Sequence, residues 1–348
     1  MNLAALFLSL VLSPHAALQS YPEVPPGVVA APIERPAGPS AFSFALYSVD
    51  GDAFLWEQDA DRQRPMASTT KIMTALIVTE RTNDPGAVVP ISTRAATTPI
   101  GYTGQAKIEV GDSWKVEDLL SDLLVQSDNG AAVALAEYVA GSVESFVALM
   151  NQRAAELGME NTRFANPHGL DATGHYSSAR DLVRMGAAAV DSPRLTRATR
   201  IKYITFDPVQ RARFSVRNTN RLLGTFPGVF GLKTGDTANA GLTFVAYLDT
   251  GTHRFVASVM GADSHMEAAA TLLGYARDVF RPSDYILASV GSADVTGAFP
   301  EALTQRLAAV TPLPTGADRT SATGTTPAEQ ALVSSFGRLL PEVLGGTR

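Results

Sequence analysis

"GLTFVAYLDTGTHRFVASVMGA" (residues 241–262) decides the fold class. Two β-rich runs, 242–248 and 254–260, flank a short polar turn, the pattern of two adjacent strands. A similar pair opens the ordered part of the chain. "AFSFALYSVDGDAFLWEQ" (41–58) is two apolar strand-like runs around Asp50-Gly51, a strong short-range hairpin signal. Between the two pairs the apolar residues recur every three or four positions. That spacing predicts helices over 66–81, 116–126, 130–140, 143–157 and 178–190, and a last one over 265–280. Along the first, Ile72, Leu76 and Thr79 share one side. Strands that open and close the domain, with helices between them, point to one α/β unit whose N- and C-terminal strands share an antiparallel sheet.

The flanks read differently. Residues 1–20 hold an apolar run from Leu3 to Leu12, a length that fits a signal-peptide core and is short for a membrane span. Export is the expectation, to the periplasm or the outer face of the cytoplasmic membrane; a buried N-terminal helix is the alternative. Residues 21–40 are proline-rich and read as an extended linker. In the extension 282–348, residues 311–330 are rich in Thr, Pro, Ala and Gly and read as disordered. Leu332, Phe336, Leu339 and Val343 then share one helical face. That face suits a peripheral membrane contact, or docking on the chain's own domain.

Composition narrows the chemistry. The formal net charge of −6 leaves no basic surplus to neutralise phosphates, so no nucleic-acid partner is expected. With 45% hydrophobic residues the 348-residue chain can build a packed core. It contains no cysteine, which excludes disulfides, thiolate catalysis and cysteine zinc sites. None of its five histidines falls in an H-E-x-x-H spacing.

Three short stretches remain as carriers of chemistry. In "ASTTKIMTA" (67–75), Ser68 and Lys71 lie about one turn apart on the predicted helix, with Thr69 and Thr70 as spacers. A serine needs a base to take its proton, and a buried lysine beside other cations could be neutral enough to serve. Taken alone, the stretch reads by default as an N-cap serine followed by a surface lysine. In "LLVQSDNGAAVALAEY", Ser127, Asp128 and Asn129 sit between two apolar helical segments, as punctuation or as a loop presenting a hydroxyl and a carboxamide to a cleft. In "GVFGLKTGDTANAGLTFVAYL", Lys233, Thr234 and Gly235 fall at the edge of a strand. There a lysine and a hydroxyl could grip a carboxylate and a glycine could admit a substrate backbone; an edge strand guarded by a lysine is the plainer alternative.

In this order, Ser-x-x-Lys, Ser-Asp-Asn and Lys-Thr-Gly form the set of active-site-serine β-lactamases and penicillin-binding proteins. The chain resembles the D-alanyl-D-alanine carboxypeptidases among low-molecular-mass penicillin-binding proteins. "NTRFANPHGLDATGHYSSARDL" (161–182), "VEDLLSDLLVQSDN" and "GVFGLKTGDT" extend the likeness over roughly 41–281. The family's usual middle motif is Ser-Gly-Asn followed by Asp; here Ser127-Asp128-Asn129 precedes Gly130.

The resemblance implies the serine β-lactamase/DD-peptidase fold and a catalytic domain over 41–281. It implies an acyl-enzyme on Ser68 with Lys71 as base, Ser127 relaying the proton to the departing amine and Asn129 holding the substrate amide. Lys233 and Thr234 would meet the terminal carboxylate of a D-Ala-D-Ala peptide, beside Gly235. The N–H groups of Ser68 and Asp236 would form the oxyanion hole. Peptidoglycan stem peptides would be the substrate and β-lactams covalent inhibitors, with no metal or organic cofactor. The neighbouring activity, a class A β-lactamase, needs a glutamate to activate the deacylating water. Residues 161–182 contain no glutamate, but offer Asn166, His168, Asp171 and His175, of which His168 is a deacylation-loop candidate and two histidines with an aspartate allow a metal or triad reading. A DD-endopeptidase acting on cross-links, and a catalytically silent cell-wall-binding module, are the other readings of the same motifs.

Overall fold

The computed structural model describes residues 28–30, 35–101, 108–207, 213–279 and 287–289. Its centre is a five-stranded antiparallel sheet of β1 (Ala41–Ser48), β2 (Ala53–Gln58), β3 (Val229–Thr237), β4 (Gly241–Asp249) and β5 (Arg254–Ala262). The order across the sheet is β2-β1-β5-β4-β3. The predicted sharing of one sheet by the two ends of the domain is therefore observed, with β1 pairing β5 from Ala41↔Ala262 to Ser48↔Phe255.

These strands read as nearly continuous apolar runs because both faces are covered. Alternate side chains enter different cores, as the period of two requires. Phe44, Leu46, Phe244, Ala246, Phe255 and Ala257 pack with α8 (His265–Val279) on one face. Ala45, Val245, Tyr247 and Val256 face the larger core on the other, with the remaining helices. That core contains α1 (Lys71–Arg81), α2 (Thr93–Thr97), α3 (Val116–Val125), α4 (Asn129–Ala140), α5 (Val143–Glu156), α6 (Ala179–Val190) and α7 (Pro193–Thr199).

Two expectations change. The helix predicted over 66–81 starts as a separate 3₁₀ turn, Ala67–Thr70, and becomes α-helical only at Lys71. It also lacks a single buried stripe: Lys71 through Val78 are all buried, because α1 runs between α3, α4 and α6. Val28–Ala30, within the proline-rich stretch, pairs antiparallel with Leu287–Ser289. The signal-peptide reading of 1–20 and the amphipathic face at 332–343 lie outside the described residues.

Candidate active site

The three motifs converge at the edge of the sheet. The turn carrying Ser68 is shaped by hydroxyls that bond its own carbonyls and draw it away from the α-helical ladder. Thr69 Oγ1 donates to Met66 O at 2.6 Å, Thr70 Oγ1 to Ala67 O at 2.8 Å and Thr243 Oγ1 to Met66 O at 3.2 Å. Ala67 adopts a left-handed φ of 49°. Thr69 and Thr70 thus brace the turn as well as space it. Ala67, Thr69 and Thr70 are fully buried, whereas Ser68 is half-buried.

Lys71 carries the electrostatics. Its ammonium end is wholly buried, 2.9 Å from Ser68 Oγ and 2.6 Å from Asn129 Oδ1, and it also donates to His168 O. Burial, seconded by the charge of Lys233 and opposed by Asp128, pushes its pKa well below the usual lysine range. A neutral amine has two N–H donors and one lone pair. The carbonyl oxygens of Asn129 and His168 can only accept, so they take both donors and turn the lone pair to the Ser68 hydroxyl. This is the orientation a general base requires.

The α3–α4 turn supplies the second motif. Asp128 is the N-cap of α4, its carboxylate accepting from Ala131 N at 2.8 Å. Asn129 is spoken for at both ends, its amide nitrogen donating to Pro99 O at 2.8 Å. Asn129 therefore positions Lys71 and keeps one acceptor site on Oδ1 and one N–H on Nδ2 beyond these two bonds. Ser127 is 2% exposed, has a left-handed φ of 73°, and its Oγ has no hydrogen-bond partner among the described residues. A strained backbone costing about 1–3 kcal/mol and an unmet buried hydroxyl mark it as a residue held for something other than stability.

Strand β3 brings the third motif along the free edge of the sheet. Lys233 is 1% exposed, donates to Thr234 O at 2.9 Å and reaches Thr219 Oγ1 at 3.4 Å. Burial lowers its pKa to about 7. Gly235 is required by a close approach, since a Cβ there would lie 2.4 Å from Thr243 Oγ1 and 2.8 Å from Ser68 N. Its bare backbone lets the strand edge meet the Ser68 N–H, where an oxyanion would sit were Ser68 to attack a carbonyl. Asp236 follows, exposed, in register with Leu242 of β4.

The loop 161–182 closes the site from the other side. Asn166 Oδ1 accepts from His168 N at 3.2 Å and Gly169 N at 2.6 Å, and Thr74 Oγ1 donates to Pro167 O at 2.6 Å. Asp171 accepts from Thr237 Oγ1 at 2.8 Å and Asn239 N at 3.2 Å, joining the loop to the β3–β4 turn.

Both histidines are committed to this scaffold. His168 Nδ1 accepts from Leu170 N, which places the ring proton on Nε2, and burial with the nearby Lys71 charge lowers its pKa to about 3. In this arrangement the His168 ring presents a donor at Nε2, and the residue meets Lys71 through its main-chain carbonyl. His175 Nδ1 accepts from Ala165 N and its Nε2 bonds Thr70 Oγ1 at 2.8 Å. Burial, opposed by Asp171, lowers its pKa to about 4. These bonds assign Asp171 and His175 to loop architecture, in place of a metal or triad role.

Sequence reasoning missed Thr219. It lies in "RNTNRLL" (217–223), where buried asparagines on both sides were the available signal.

A half-buried serine, a buried lysine turned to it and an edge strand carrying a second lysine are the arrangement expected of the active-site-serine β-lactamases and penicillin-binding proteins. The profile of the D-alanyl-D-alanine carboxypeptidase family matches residues 33–264, and the chain belongs to that family. It is 35% identical over 235 residues to D-alanyl-D-alanine carboxypeptidase DacF of Bacillus subtilis (strain 168), covering 66% of this chain and 59% of that protein. DacC of Escherichia coli (strain K12) is 37% identical over 217 residues, covering 60% and 53%. The crystal structure of the Streptomyces K15 DD-transpeptidase superposes with a TM-score of 0.65 at 28% identity, covering 70% of this chain and 98% of that one. The chain thus spans just over half the length of the two curated relatives.

Proposed function

We propose that the protein is a serine-type D-Ala-D-Ala carboxypeptidase that removes the terminal D-alanine from peptidoglycan stem pentapeptides. The observation that carries this reading is the placement of Lys71, whose two carbonyl acceptors leave its lone pair to Ser68. Ser68 Oγ attacks the carbonyl of the penultimate residue as its proton passes to Lys71. The oxyanion is held by the N–H groups of Ser68 and Asp236, donors typically worth about 10²–10³ in rate each. Lys71 returns the proton through Ser127 to the departing amine, D-alanine leaves, and water cleaves the ester. Lys233 and Thr234 hold the substrate carboxylate, and β-lactams acylate Ser68 as substrate mimics. An exported protein, acting in the periplasm or on the outer face of the cytoplasmic membrane, is the setting this chemistry needs.

Incubation with a muropeptide pentapeptide is expected to release one D-alanine per peptide. Cleavage of cross-linked dimers with pentapeptides left intact would assign the protein to endopeptidases instead.

The lysines also set a pH profile. Acylation needs neutral Lys71 and charged Lys233. Thus kcat/KM rises with pH as Lys71 loses its proton and falls as Lys233 loses its own, from about 7 in the free enzyme. A bell-shaped profile of kcat/KM for a free-acid peptide is expected. An amide-terminated peptide, with no carboxylate for Lys233, is expected to lose the alkaline limb.

A further inference from the structure

Thr219 stands between the motifs without belonging to any. Its backbone N–H donates to Val125 O at 3.0 Å, at the end of α3 and two residues before Ser127. Its side chain faces the third motif. Thr219 Oγ1 accepts from Thr234 Oγ1 at 2.7 Å and is the 3.4 Å partner of Lys233 Nζ.

The segment is pinned on both sides. Asn218 Nδ2 donates to Ile201 O at 2.8 Å, and Asn218 Oδ1 accepts from Asn220 N at 2.8 Å. Asn220 Nδ2 reaches Gly231 O at 3.3 Å. Both asparagines are buried, whereas Thr219 between them is half-buried. A side chain with an open face is therefore held by a backbone with little freedom.

The hydroxyl's bonding capacity decides its role. An alcohol oxygen has two acceptor sites and one proton to donate. Thr234 and Lys233 fill both acceptor sites. The Thr219 proton has no acceptor among the described residues, and it lies beside a buried cation. A donor fixed in direction, next to a positive charge and lacking a protein acceptor, is built to receive an anion.

The geometry points to Thr219 as a donor to the substrate's terminal carboxylate beside Lys233, with Thr234 spending its one proton on Thr219 Oγ1 and acting on the carboxylate through that hydroxyl. This assignment rests on the carboxypeptidase reading above and adds to Lys233 a second residue that tells a free acid from an amide. The wild type, Thr219→Val and Thr219→Ser are compared on a D-Ala-D-Ala peptide and on the same peptide with a C-terminal amide. Valine keeps the shape and removes the hydroxyl; serine keeps the hydroxyl. Thr219→Val is expected to raise KM for the free acid roughly 10- to 100-fold, the worth of one hydrogen bond to a charged group, with kcat little changed. The amide peptide should not distinguish the two enzymes, and Thr219→Ser should recover most of the loss. Unchanged KM in Thr219→Val, equal losses on both peptides, or no recovery with serine would overturn the assignment while leaving the peptidase reading intact. A wild type that cleaves neither peptide would remove that reading and the Thr219 assignment with it.

Discussion

Lys71→Met is expected to acylate about 10²–10⁴-fold more slowly than the wild type, the usual worth of a positioned general base, while remaining folded. Methionine approximates the lysine stem in length and places no amine in the core. Two effects on stability oppose one another. The cost of burying an amine disappears, but Asn129 Oδ1 and His168 O lose their common donor, at about 1–3 kcal/mol per unmet group. The melting temperature is therefore expected to move by only about 5 °C, far less than the change in rate. Acylation rate and melting curve, measured on the same preparation, separate the two. An undiminished acylation rate would remove Lys71 from the role of base.

The second large effect is expected at Gly169, in the loop that supplies the His168 carbonyl. Gly169 has a φ of +93°, and an added Cβ would lie 2.0 Å from Ala67 O and 2.9 Å from Ser68 N. Both contacts are backbone, so no side chain can swing aside. Gly169→Ala must displace either the loop or the nucleophile turn. It is expected to lose about 2–4 kcal/mol of stability, from overpacking together with a forced left-handed alanine. It should also acylate about 10²-fold more slowly, since a displacement near 1 Å is enough to misalign the reacting groups. Gly174→Ala is the control. Its φ is +75°, but its Cβ would meet only the flexible Arg163 guanidinium, at 3.4 Å. It should share the conformational cost and keep the acylation rate. Normal acylation by Gly169→Ala would show that the loop does not set the geometry around Ser68.

The fold was legible because its strongest local signals are also its framework. The Asp50-Gly51 turn and the two runs of 241–262 are strand patterns that tertiary context only confirms, and the helices from 116 to 190 lie within a residue or two of their periodicity. Helix α7 carried a readable start, Ser192 capping Leu195 N with Pro193 at its first position, but is too short to show a period. The 3₁₀ turn escaped because Thr69, Thr70 and Thr243 make it with bonds that apolar spacing does not record.

Within the site, the motif residues were visible as letters, while their partnerships were not. Nothing in the order of residues says that Asn129 holds Lys71, that His168 contributes a carbonyl where an imidazole was expected, or that Thr219 completes the strand edge. Those relations span up to about a hundred residues of chain and depend on which atoms burial leaves facing one another.

The central claim is that Ser68 is the nucleophile, and covalent labelling with a fluorescent penicillin tests it most directly. The wild type should take up one label per chain, located by mass spectrometry on the peptide containing Ser68, and Ser68→Ala, still folded, should take up none. A wild type that takes up no label, or a Ser68→Ala variant that labels as fast as the wild type, would contradict the account.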